Sequence, residues 1–306
     1  MPTRCEKTPV VDVDTVLEVS GLTMEFAIRG DARSKDSGDR VKSGLLGRRR
    51  GDVVTRSVTA VKDVSFTVAP GQSLAIVGES GSGKTTVARM IVGLETPTQG
   101  RIIVAGSERS GRRVGSRERK RRAREVQIVF QDPYSSLDPR MTIAACIAEV
   151  LKLHFDQTDE VRAARIEQLL EQVGLDKRHE NVLPKALSGG QRQRVAIARA
   201  LASEPRVLIC DEAVASLDVS IQAQVLNLLS DIREQTGVSY LFISHDLAVV
   251  RQVSDEVIVM RNGEIVEKGR TEDVLRSPTT LYTKRLLAAI PREGWHPTAS
   301  SQDEAR

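Results

Sequence analysis

The residues best suited to chemistry fall in a few short stretches. The most specific is Gly78-Glu79-Ser80-Gly81-Ser82-Gly83-Lys84-Thr85, followed by Thr86. It fits the G-x-x-x-x-G-K-[ST] phosphate-binding pattern. Gly78, Gly81 and Gly83 let backbone N–H groups close around phosphates with no Cβ in the way. Lys84 brings positive charge to the β- and γ-phosphates, and the Thr85 hydroxyl is a hard oxygen ligand for Mg²⁺. Asp211 suits the Mg²⁺ shell through water, and Glu212 beside it suits a general base for an attacking water. Gln131 is neutral and able to touch both metal and water, while His245 can hydrogen-bond a γ-phosphate. Phosphoryl transfer to water needs a phosphate cradle, Mg²⁺, an oriented water and charge stabilisation, and these residue types supply all four. A second Gly pair with a hydroxyl, Ser188-Gly189-Gly190-Gln191, precedes a helical pattern and reads as another anion site, this one without lysine. One nucleotide cannot readily use both sites in one chain, but two copies facing head to tail could complete each other.

These residues must be held by regular elements. The apolar run Leu74 to Val77 reads as a buried strand, and Val87, Met90, Ile91 and Leu94 follow at helix spacing. The phosphate loop thus lies between a strand and a helix N-terminus. Strands at Val126 to Gln131, Arg206 to Cys210 and Ser239 to Ser244 lead into Gln131, Asp211-Glu212 and His245. An Asp-Glu pair alone is more often a helix cap, and a lone histidine is more often structural. Here all the polar groups follow carboxyl ends of predicted strands, the edge where ligands bind in open α/β sheets.

The remaining chain fits around this frame. Its 306 residues are 40% hydrophobic and 28% charged with net charge +4, which suits a globular chain with a sizeable core and does not demand an anionic partner. No run approaches the roughly 18 apolar residues of a membrane span, and the N-terminus has no secretory h-region. Cys5, Cys146 and Cys210, and the four histidines, show no metal-ligand spacing. Strands are expected at Val16 to Ile28, Ala60 to Ala69 and Arg101 to Ala105. The aperiodic stretch 30–57, with Arg48, Arg49 and Arg50, reads as a loop. The basic run 109–124 reads as a solvated face; it lacks the aromatic interleaving of a nucleic-acid patch. Helices at Met141 to Leu153 and Asp159 to Val173, stopped by Gly174, make a helical insertion at about 140–186. A helix at 218–235 turns Ile221, Val225, Leu228, Leu229 and Ile232 inward. A hairpin turns at Asn262-Gly263, and a last helix spans Leu281 to Ala289. Residues 1–15 and 292–306 read as disordered tails.

The set as a whole resembles the nucleotide-binding subunit of an ABC transporter. Gly78–Thr85 resembles the Walker A loop, and Val207–Asp211 resembles the Walker B strand. Leu187–Gln191, continuing Arg-Gln-Arg-Val-Ala-Ile-Ala-Arg-Ala-Leu, matches the family signature. Gln131 falls in the Q-loop, Ala215-Ser-Leu-Asp218 resembles the D-loop, and His245 the H-loop. The resemblance implies a P-loop NTPase core with a mixed sheet, an antiparallel β subdomain and an inserted α-helical subdomain, over residues 16–291. It adds Ser188 to Gln191 and Asp218 to the nucleotide-contacting residues and makes Phe26 the aromatic that stacks on adenine. ATP and Mg²⁺ are the implied cofactors. The implied partners are a second ATPase subunit, in a homo- or heterodimer, permease subunits in the membrane and, indirectly, a substrate-binding protein, with no nucleic acid. The place implied is the cytoplasmic face of the membrane.

Val129-Phe-Gln-Asp-Pro-Tyr-Ser-Ser-Leu-Asp-Pro-Arg140, the helix after Asp218 and Ser277–Pro291 are similar to oligopeptide and dipeptide importer ATPases. Ala213-Val214 depart from that subfamily's usual Pro and Thr/Val, so a looser turn is expected there. Other importer substrates, such as nickel or glutathione, are the alternative, as are ABC-type ATPases of DNA maintenance or translation. The stretch from Gln131 to Ser188 is too short for the long coiled coils of the DNA-maintenance enzymes, and translation-associated members normally carry two such domains.

Overall fold

The computed structural model describes residues 15–29, 55–109, 114–132 and 136–289. The tails, most of the 30–57 loop, residues 110–113 of the basic run and Pro133 to Ser135 lie outside the described residues. The chain opens on a long ribbon, β1 (Leu17–Arg29) and β2 (Thr55–Val68), then runs through β3 (Ser73–Val77) into α1 (Lys84–Val92). A hairpin, β4 (Gln99–Val104) and β5 (Ser107–Glu108), leads to α2 (Ser116–Glu125) and β6 (Val126–Phe130). The insertion is α3 (Ile143–His154), α4 (Asp159–Gln172) and two short 3-10 turns. Then come α5 (Gly189–Leu201), β7 (Val207–Asp211), α6 (Val219–Thr236), β8 (Ser239–Ser244) and α7 (Leu247–Val253). The described chain ends with β9 (Glu256–Arg261), β10 (Glu264–Arg270), α8 (Thr271–Arg276) and α9 (Leu281–Ala288).

The central sheet runs β10-β9-β3-β8-β7-β6, and every neighbouring pair is parallel except β9–β10. A smaller antiparallel sheet runs β2-β1-β4-β5. The sequence is thus an α/β fold with the mixed sheet, antiparallel subdomain and helical insertion expected of it. Every residue of β3, β7 and β8 is buried, as parallel strands covered on both faces require. The period of two divides these strands between two cores. Ala75, Val77, Leu208, Cys210, Tyr240 and Phe242 face the helical side. Leu74, Ile76, Val207, Ile209, Leu241 and Ile243 face α1 and the antiparallel sheet. Burial of each large aliphatic side chain contributes about 1.5–3 kcal/mol, so a one-residue slip would forfeit both cores.

That register aligns the carboxyl ends. Val77 pairs with Ser244, Ile243 with Asp211 and Asp211 with Phe130. Gly78, His245, Glu212 and Gln131 therefore all lie one residue past a strand on the same edge.

Four sequence expectations change. β2 begins at Thr55, so 55–57 belong to the ribbon. Its exposed residues 57–59 carry no apolar period to betray a strand. Leu94 leaves the helix face because Gly93 ends α1 in the left-handed region (φ 83°), and Leu94 is 63% exposed. The basic run is not wholly solvated. It builds α2, and Arg109 is buried against Glu125 at 2.5 Å. The turn after Glu212 is closed rather than loose. Ala213 and Val214 are buried, and the Ala215 N–H bonds the Glu212 carbonyl at 3.0 Å.

Candidate functional site

The phosphate loop is shaped by two glycines that nothing else can replace. At Gly78 φ is +152°, and a Cβ would sit 2.2 Å from the Met260 carbonyl oxygen. At Gly83 φ is +101°, and a Cβ would sit 2.4 Å from the Ala60 carbonyl oxygen. Gly81 faces open space, and there its φ of +80° rather than a clash favours glycine. Glu79, Ser80 and Gly81 are exposed, whereas Ser82 is buried. Gly83 heads α1 with no side-chain cap and no acid in the first turn, which leaves that helix end suited to an anion at Lys84, Thr85 and Thr86. Lys84 is buried, and its Nζ donates to the carbonyls of Gly78 (2.7 Å) and Glu79 (2.8 Å) and to Ser82 Oγ (3.3 Å). Burial pushes its pKa down, against the pull of Glu212, Asp211 and Glu79.

Asp211 ends β7 opposite this loop. Its Oδ1 accepts from the Thr85 hydroxyl at 3.2 Å. Burial raises its carboxyl pKa; the Thr85 bond opposes this, Glu212 adds to it, and Arg89 and Lys84 lower it. A buried carboxylate beside a hydroxyl, both hard oxygen donors, is a donor set that fits Mg²⁺. Glu212 takes a left-handed backbone (φ 50°), uncommon for a residue with a Cβ, pinned by its N–H to the Ile243 carbonyl at 2.9 Å. This turns its carboxylate toward His245, whose Nδ1 lies 3.1 Å from Glu212 Oε1. A carboxylate oxygen accepts, so Nδ1 carries the proton. Gln131 is exposed just beyond β6, and its carbonyl accepts from the Ser216 hydroxyl at 3.3 Å.

The second loop lies at the head of α5. The Ser188 hydroxyl accepts from the Gln191 N–H, and the Gln191 side chain accepts from the Ser188 N–H, a reciprocal capping box. Ser188 and Gly189 are exposed. Gly190 is buried, and a Cβ there would meet Ile221 Cγ2 at 2.4 Å, so its smallness lets α5 pack closely on α6. Asp218 heads α6 with no side-chain cap, next to Val219, which is 84% exposed. Phe26 is 40% exposed on the ribbon, paired across it with Val58. The structure thus joins the Gly78–Thr86 loop to Asp211 and sets Glu212 on His245. It places Ser188 to Gln191, Asp218 and Phe26 on other elements.

Two supports of the loop escaped the sequence reading. The Gly263 N–H bonds the Ser82 carbonyl at 3.1 Å, and the Glu79 N–H bonds the Tyr282 hydroxyl at 3.2 Å. Both come from far along the chain, and no local spacing signals them.

A phosphate loop, a strand-end Asp-Glu pair and a capped Ser-Gly-Gly-Gln helix on this sheet define a nucleotide-binding cassette. Residues 61–215, about half of the chain, match the family described as ABC transporter, and the chain belongs to it. It is 46% identical over 286 residues to the glutathione import ATP-binding protein GsiA of Escherichia coli K12, covering 94% of this chain and 43% of that protein. GsiA of Salmonella paratyphi A is 44% identical over 288 residues, with the same coverage. The chain spans less than half the length of these relatives. Among solved structures it is similar to the dimeric ATP-binding cassette MJ0796 bound to ADP and Pi, with TM-score 0.67, 26% identity and coverage of 83% and 98%. The fold also matches cbiO1 of Clostridium perfringens, part of the transporter complex cbiONQ, with TM-score 0.68, 24% identity and coverage of 86% and 92%. Among the described residues, no helix is long and apolar enough to cross a membrane.

Proposed function

We propose that this chain is the ATP-hydrolysing subunit of an ABC importer for di- or oligopeptide-type substrates, glutathione among them. The carrying observation is the strand edge that sets Thr85 on Asp211 and Glu212 on His245, beside the Lys84 loop. The loop N–H groups and Lys84 would bind the phosphates of ATP. Thr85 and Asp211 would hold Mg²⁺, with Gln131 nearby; the ion would neutralise charge on the phosphate oxygens. Glu212 would accept the proton of the attacking water, and His245 would orient Glu212 and then meet the γ-phosphate. Phe26, exposed on the ribbon, suits a stacking platform for adenine.

The exposed Ser188 and Gly189, with Asp218 and the 84%-exposed Val219 beside them, suit contact with a second ATPase subunit. In this reading ATP sits between the phosphate loop of one subunit and Ser188 to Gln191 of the other, and hydrolysis separates them. Membrane permease subunits receive the motion at the cytoplasmic face through the helical insertion, and a substrate-binding protein delivers the cargo. The glutathione importer relatives support the substrate class. The test is Glu212→Gln, which should retain ATP binding and slow hydrolysis on the order of 10²–10⁴-fold. Near-normal turnover would remove Glu212 as the base.

A further inference from the structure

The phosphate loop is tied to the C-terminal segment through one peptide unit. Its carbonyl, that of Gly78, accepts from Lys84 Nζ at 2.7 Å. Its N–H, that of Glu79, donates to Tyr282 Oη at 3.2 Å. A trans peptide is planar, with N–H and C=O pointing oppositely, so fixing one end fixes the aim of the other. Tyr282 is itself held. It is 8% exposed, and the Arg261 guanidinium lies 5.0 Å from its ring centroid. It sits in the first turn of α9, whose N-cap Thr280 accepts from the Thr283 N–H. Buried Glu267 on β10 grips the start of this helix. Its two oxygens accept from the N–H and hydroxyl of Thr279 (2.7 and 2.9 Å) and of Thr280 (3.2 and 2.9 Å). Burial alone would raise the Glu267 carboxyl, but these donors together with Thr283 outweigh it and hold the pKa down to about 2.

We propose that Tyr282 is a positioning residue for the nucleotide site: its hydroxyl orients the Gly78–Glu79 peptide, and through that carbonyl the Lys84 ammonium, so that the segment clamped by Glu267 sets ATP affinity. This rests on the reading that the Gly78–Thr86 loop holds ATP. Without the hydroxyl the peptide is held from its carbonyl side alone, and the aim of the Gly78 carbonyl at Lys84 is less fixed. Glu212, His245 and Gln131 are untouched, so the effect falls on binding and not on the chemical step.

The experiment titrates the full chain with a fluorescent ATP analogue and measures KM and kcat for ATP. Tyr282→Phe keeps the ring and its Arg261 contact and removes only the acceptor. Loss of one such bond should raise Kd and KM about three- to tenfold with kcat within about twofold. A merely structural role would lower the melting temperature and leave Kd alone. Glu267→Gln should raise Kd in the same direction, and the double variant should fall short of the product of the single effects, since both act through one route. Wild-type Kd in Tyr282→Phe would overturn the proposal. Lys84→Ala in the same titration separates the two readings. Unchanged affinity there would reject the loop as the ATP site. Lost affinity there with unchanged Tyr282→Phe would reject only the role of Tyr282.

Discussion

Gly190→Ala separates the packing of the second loop from its chemistry. The new methyl would lie 2.4 Å from Ile221 Cγ2, against 3.4–4 Å for ordinary contact, so the Ile221 side chain or the spacing of α5 and α6 must give by roughly 1 Å. Overpacking of this kind costs about 1–3 kcal/mol. The better helix propensity of alanine returns less than about 1 kcal/mol, because Gly190 has no positive φ to preserve but lies in the first turn of α5. The net expectation is a loss of about 1–2 kcal/mol. Ile221→Ala alone should cost about 1–2 kcal/mol, below the usual range for a fully buried isoleucine because Ile221 is only half-buried. Combining the two removes the clashing Cγ2, and the next atom, Ile221 Cβ, stands 3.8 Å away. The double variant should therefore be at least as stable as Ile221→Ala alone. Urea unfolding followed by circular dichroism reads this as the midpoint at constant slope. A double variant whose loss equals the sum of the singles would refute the contact as the reason for glycine at 190.

Two further outcomes follow from charges outside the phosphate loop. Glu267 has its folded pKa held near 2 against an ordinary 4.5, so its stabilisation is present in full above about pH 4.5 and lost as pH falls toward 2. The stability gap between wild type and Glu267→Gln should be open at neutral pH and close over that acid window in a pH series of unfolding curves. Arg109→Met leaves the Glu125 carboxylate with Arg121 as its remaining ion-pair partner and should cost about 3 kcal/mol, the lower end for a broken buried pair. Adding Glu125→Leu should recover most of it in the same unfolding assay.

The positions of the candidate site residues are clearer in the sequence than the supports behind them. Lys84, Asp211, Glu212 and His245 were legible because each follows an apolar run short enough to be a buried strand, and parallel strands bring such ends to one edge. The Ser188 cap is a local pattern, a hydroxyl three residues before Gln191, but the sequence reading takes the stretch for an anion site and does not name the cap. Tyr282, Met260 and Gly263 were not, since their contacts with the loop depend on where β9, β10 and α9 pack, which no spacing encodes. From sequence alone Glu212 suits an attacking water and His245 a γ-phosphate, and the contact between them depends on the left-handed turn at Glu212. Leu94 misled because periodicity continues past a glycine that the backbone uses as a stop. In sequence Gly190 suits anion binding, and its close contact with Ile221 depends on how α5 packs on α6, which no local spacing encodes.

The claim that ATP is hydrolysed between two subunits is tested most directly by mixing chains. Lys84→Ala removes the lysine proposed to bind phosphate, and Ser188→Arg blocks the exposed head of α5. Each variant alone should be inactive, because both sites of its dimer carry the defect. A mixed dimer places both defects in one site and leaves the other intact, so mixing should restore ATPase activity approaching that of one site in two. No recovery, with mixed dimers demonstrated by mass spectrometry and ATP bound at the intact site, would contradict hydrolysis at a site shared in this way.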